Sequence, residues 1–179
     1  MQKLGISRFT SRILIGWCVL LFAILLVLNL AHVSAANPIA FHALTLNGFL
    51  ASLLMGLRII VLFLVFSTLP KRWPVTLLAF LSLTMAIVAI TQLVSVVLAG
   101  NLGVSLLYLV FVASFCGLLY TAIMTTSQTI MHNAWDEDHK YFISWFQSLM
   151  DNIRRYSLPL LGFLLVFSFA LSMTYAVTF

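Results

Sequence analysis

Five long apolar runs divide the chain, over residues 13–31, 44–69, 75–99, 104–124 and 158–178. Each is close to the roughly 20 apolar residues that a helix needs to cross a bilayer. The runs are separated by short breaks: Asn37 and Pro38, then Pro70 and Pro74, then the stretch Gly100, Asn101, Leu102, Gly103, and finally Ser157 to Pro159. Proline and glycine at such places end helices and make turns. The links after the second and third runs are short enough that spans two, three and four are expected as antiparallel neighbours.

One long stretch, 125–157, breaks the apolar pattern. Its second half alternates with helical period. Phe142, Trp145, Phe146, Leu149, Ile153 and Tyr156 recur at i, i+3, i+4 and i+7, with Lys140, Ser144, Gln147, Asp151, Arg154 and Arg155 on the other side. An aromatic apolar face ending in Arg154 and Arg155 suits a helix lying at the membrane surface over about 136–156, with the arginines toward anionic head groups. A docking helix for a partner uses the same pattern.

Composition agrees with the runs. The chain of 179 residues is 63% hydrophobic and 7% charged, and its mean hydropathy is +1.16. A soluble domain carries roughly 25% charged residues. This excludes a water-soluble fold and a disordered tail. The net charge of +5 invites a nucleic-acid reading, but the basic residues form no patch, so no nucleic-acid partner is expected. The expected fold is all-α: one polytopic membrane domain over 1–179, with five transmembrane helices and one cytoplasmic interfacial amphipathic helix.

Charge placement then gives orientation. Lys3, Arg8 and Arg12 precede span one, Lys71 and Arg72 join spans two and three, and Lys140, Arg154 and Arg155 lie between spans four and five. Alternating spans put all of these on one side, and the positive-inside rule makes that side cytoplasmic. The N-terminus is expected inside and the C-terminus outside. The basic start, span one and Val33, Ser34, Ala35 resemble a secretory signal with its cleavage site. The run is longer than the usual apolar segment of about 7–15 residues, which favours a retained span.

Arg58 is the one basic residue of nine that belongs to no loop. It lies near the middle of span two, where an arginine costs roughly 2.5–3.5 kcal/mol to insert. The sixteen Leu, Ile, Val and Phe residues of that span offset the cost, at roughly 0.3–0.6 kcal/mol each near the centre. The four acidic residues, Asp136, Glu137, Asp138 and Asp151, all lie outside the spans. Arg58 is therefore expected to meet a carboxylate of another subunit, an anionic ligand, or carbonyls, hydroxyls and amides of its own bundle. Thr91, Gln92 and Ser95 of span three are the candidates for the last role, with Thr84 on the same helix.

Gly48, Ser52 and Gly56 form a small-residue strip at four-residue spacing on span two. Such a strip admits another helix at close range, within the chain or between copies. At about 100° per residue Arg58 lies on a different face from Gly56. Two contact faces suggest a central place for span two. Ser114, Gly117 and Thr121 make a similar small face on span four.

Little here points to chemistry. Cys18 and Cys116 are isolated, with no metal or redox spacing. No paired catalytic carboxylates, phosphate loop or deep histidine pair is present, so no cofactor is expected. His132, Asp136 and His139 would share one helix face and could ligate a metal, but one helix rarely supplies a whole site. The leading expectation is a non-catalytic subunit of a larger membrane assembly for transport, secretion or electron transfer, in a bacterial inner membrane. Its partners would be the lipid bilayer and other membrane subunits or further copies of itself. The alternative is a small oligomeric transporter or channel, with Arg58 at an anionic or gating site and Thr91, Gln92 and Ser95 along the path. A weaker alternative is an enzyme acting on lipid at the cytoplasmic face through His132, Asp136 and His139.

The topology has a direct test. A reporter that works only outside the cytoplasm, fused to Phe179, is expected to be active; activity of a cytoplasmic reporter there instead would reverse the orientation.

Overall fold

The computed structural model describes residues 8–30, 41–69, 73–133 and 141–175. Five helices account for nearly all of them: α1 (Arg8–Leu30), α2 (Leu46–Phe66), α3 (Trp73–Leu98), α4 (Leu102–Asn133) and α5 (Tyr141–Thr174). No strand occurs among the described residues. Four of the helices, α2 to α5, are long and apolar enough to cross a membrane, while the apolar stretch of α1, Arg12–Leu28, is shorter. The chain is thus an all-helical, multi-pass type of membrane protein.

Local chemistry sets the helix ends. The Thr45 hydroxyl accepts the Gly48 N–H at 3.1 Å and caps the start of α2. Between α3 and α4 the chain turns at Gly100, whose φ of +80° is open to glycine and strained for other residues. Asn101 Oδ1 then accepts the Val104 N–H at 3.4 Å, and the Ser105 hydroxyl reaches back to the Val96 carbonyl at 3.3 Å. These bonds hold the short α3–α4 link as an antiparallel hairpin.

The two longest helices, α4 and α5, are the most extensively packed pair. Their facing residues are apolar toward one end, where Phe111, Phe115 and Phe167 stack with centroids 5.6–6.0 Å apart. Midway, the ring of Phe163 lies on Gly117, within 2.7 Å of where a Cβ would stand. Helix α2 packs on α5, and the expected strip of Gly48, Ser52 and Gly56 is buried in that seam. A Cβ on Gly56 would overlap the Leu164 side chain and press on Phe167. Helix α3 packs on α4, and α1 packs on α3 alone, with the Trp17 ring 5.2 Å from Phe80 and its N–H 3.4 Å from the Thr84 hydroxyl.

Two expectations change here. Spans two and three follow one another through a short link, yet α2 and α3 barely touch. The buried face of α2 is occupied by α5, so α3 is left to sit on α4. Helix α2 is therefore peripheral rather than central. The interfacial helix expected over 136–156 is helical from Tyr141, and it continues without a break into the last span, with Pro159 inside the helix. Proline removes one backbone donor, which a membrane helix tolerates when its packing is continuous. Packing continues on both sides of Pro159: Asn152 bonds Thr129 of α4 before it, and Leu164 and Phe167 are buried against α2 and α4 after it.

Lengths show where the extra turns go. At ~1.5 Å per residue the 21 residues of α2 span about 31 Å, close to the hydrocarbon thickness, whereas the 34 residues of α5 span about 51 Å. The His42 N–H donates to the Met173 carbonyl at 2.9 Å, so the start of α2 is level with the end of α5. The surplus of α5 emerges at the opposite end, paired with the last turns of α4. The Trp145 indole N–H ties this extension back to the Ser67 carbonyl at 3.1 Å, at the end of α2.

Overfilling the tight crossings is expected to destabilise the bundle. Gly117→Val drives a methyl into the Phe163 ring and should cost about 1–3 kcal/mol, read as a lower midpoint in thermal unfolding of the purified protein. Gly162→Ala, which meets nothing within 4 Å, should leave that midpoint unchanged or raise it.

Candidate functional site

Most hydroxyls within the helices are satisfied by their own backbone. Ser52, Ser82, Thr91, Thr125, Thr129 and Ser168 each donate to the carbonyl four residues back, at 2.6–2.8 Å. Such bonds let polar side chains sit in an apolar bundle without making a site. Functional chemistry is better sought where a polar group reaches beyond its own helix, or has nothing to reach.

Arg58 belongs to the second kind. It is exposed on the outward face of α2, near mid-helix. A groove of about 420 Å³ surrounds it, walled by Leu54, Leu57, Val61, Leu62, Val65 and Phe66. Every wall residue belongs to α2 itself. Among the described residues no hydrogen bond or ion pair reaches Arg58. Its guanidinium carries five donors and cannot be neutralised. The rows of leucine and valine around it leave snorkelling as a poor escape, since the charge lies more than two turns from either helix end.

The other residues expected with Arg58 lie elsewhere. Thr91 is buried and bonded to Ile87 and Val88, and Ser95 donates to the Thr91 carbonyl at 3.1 Å. Gln92 lines a separate cavity and is absent from the wall of the arginine groove. The structure does not bring Arg58, Thr91, Gln92 and Ser95 together.

Gln92 is of the first kind. Its Oε1 accepts the Tyr108 hydroxyl at 2.7 Å and the Tyr175 hydroxyl at 3.3 Å, joining α3 to α4 and to the end of α5. Tyr108 is wholly buried, and its ring lies tilted against Phe111 with centroids 5.3 Å apart. These groups cap a cavity of about 440 Å³, bounded also by Met55 of α2 and Met85 of α3. The sequence reading missed both tyrosines. The signal was there: each is a ring with a polar tip inside or beside an otherwise apolar run, and a buried tyrosine hydroxyl usually has a partner.

A third polar group lies where α4 and α5 extend. Thr125, Thr126 and Thr129 are fully buried, and so nearly is Asn152. The Asn152 amide donates to the Thr129 hydroxyl at 3.3 Å, the Gln128 amide to the Tyr156 hydroxyl at 2.8 Å, and the Thr126 hydroxyl to the Phe63 carbonyl at 3.2 Å. The outward surface is mixed: Phe142 and Phe146 of the expected interfacial face are exposed, as are Gln147, Asp151, Arg154 and Arg155, while Trp145, Leu149 and Ile153 are half-buried. The extension thus has a polar inside and a partly apolar outside.

The metal candidate falls largely outside these observations. His132 is within α4, and Asp136 and His139 lie outside the described residues. Among the described residues no group of three or more possible ligands is found. In comparisons with known proteins, no protein family matches this chain, no curated protein matches it, and no solved structure matches it.

Proposed function

We propose that this chain is a non-catalytic subunit of a larger assembly in a bacterial inner membrane, crossing five times with its N-terminus in the cytoplasm. It docks to its partner through the outward face of α2. Arg58 is the observation that supports this reading. A charge held at mid-membrane on an exposed face, walled by its own helix alone, is an incomplete site. A carboxylate on a partner's transmembrane helix completes it, and leucine and valine side chains flanking Arg58 pack around the pair. A second copy of this chain would not serve, because none of its four acidic residues lies within a span. The assembly is therefore hetero-oligomeric at this face. The transporter alternative draws on Thr91 and Ser95 as path residues, and both donate to carbonyls of their own helix.

Arg58→Leu is expected to leave folding and thermal midpoint unchanged, because Arg58 contacts no other described helix. It should weaken association with the partner roughly 30-fold or more, the cost of stranding a buried carboxylate, read as loss of co-purification from native membranes in mild detergent. Recovery of the same partners at the same yield with Arg58→Leu would overturn the proposal, as would isolation of the wild-type chain alone.

A further inference from the structure

The cavity capped by Gln92 is not part of the docking face, and it has the features of a ligand site. Helices α2 and α3 diverge here, and the mouth opens between Met55 and Met85, which are 52% and 59% exposed. A mouth between two membrane-spanning helices faces lipid rather than water. Behind it the wall is aromatic: Phe111 and Phe115 of α4 line the cavity, and their rings lie nearly parallel, with an interplanar angle of 4°. A volume of about 440 Å³ is within the range of small-molecule sites.

The polar end of the cavity makes a chemical demand. Gln92 is exposed at the rim of the cavity, and both tyrosine hydroxyls donate to its Oε1, so the amide's two N–H donors are left over at the lipid-facing mouth, where among the described residues they have no acceptor. A donor in hydrocarbon without an acceptor is costly. Gln92 is six residues from the end of α3, or about 9 Å, so it lies at the depth where the carbonyl groups of membrane molecules enter the apolar layer.

We infer that this cavity binds an apolar membrane molecule that carries a carbonyl group, with the carbonyl accepting from Gln92 Nε2 and the apolar body lying against Phe111 and Phe115 between Met55 and Met85. Methionine suits such a wall, because its flexible thioether adapts to the guest. Two molecules share this chemistry: a phospholipid, through its ester carbonyl, and a prenylated quinone, through its ring carbonyl.

The test uses the purified full chain in nanodiscs with two photoactivatable probes, a diacyl phospholipid labelled beside its ester and an isoprenoid benzoquinone analogue. One of them is expected to label peptides containing Met55 and Met85 saturably, and which one does so identifies the source. Gln92→Met should reduce that labelling about tenfold, as for loss of a single hydrogen bond in an apolar site. Met85→Trp fills the mouth without touching the polar end, and should reduce it similarly while the Tyr108–Gln92 bond holds the fold. The inference is overturned if neither probe labels the wild type saturably, or if labelling survives both substitutions at its original level.

Discussion

A bilayer offers no water to a polar group and no preference between lipid and protein to an apolar one. The α4–α5 seam answers the first constraint and organises the rest of the chain around it. At one end it is closed by stacked rings of Phe111, Phe115 and Phe167, at its middle by Phe163 on Gly117, and at the other end by Thr129 and Asn152. Helices α2 and α3 dock on opposite members of this pair, and α1 is joined through α3 alone. Remove the seam, and neither α2 nor α3 has a surface to bury its small or aromatic face against.

The spans were legible because their signal is length and hydropathy, which survive any arrangement of neighbours. Helix packing was legible where it depends on backbone shape. Gly48, Ser52 and Gly56 lie in a tight seam because small residues alone permit one. Which helix fills that seam was not legible. Leucines facing lipid and leucines facing protein look the same in a membrane sequence, so the hydrophobic pattern did not tell α3 from α5 as the neighbour of α2. Soluble proteins write that information in the alternation of polar and apolar faces. Here the alternation is nearly absent until residue 141.

The same ambiguity explains Arg58. Its charge marks it as important in any reading of the sequence, yet the sequence left its partner open between another subunit, an anionic ligand and Thr91, Gln92 and Ser95 of its own bundle. The hydroxyls of Thr91 and Ser95 already donate to carbonyls one turn back, and the Gln92 Oε1 is taken by two tyrosines, which leaves them little to offer a guanidinium. The tyrosines that do meet Gln92 come from α4 and from the end of α5, far away in sequence. A pair of hydrogen bonds spanning 16 and 83 residues leaves no local trace. The amphipathic stretch of 141–156 was legible as a helix, but its continuity with the last span was hidden by Pro159, which usually marks a boundary.

The seat of α2 on α5 has a consequence for biosynthesis. Ribosomes deliver helices in chain order, and α2 enters the membrane long before α5 is translated. Until then the notch at Gly56 is empty, Leu164 and Phe167 do not yet exist, and α2 presents two incomplete faces to the lipid. Helix α1 likewise waits for α3. Helices α1, α3 and α4 have one another to pack on as they arrive, so α2 is the helix left waiting for its main partner, which comes last, with α5.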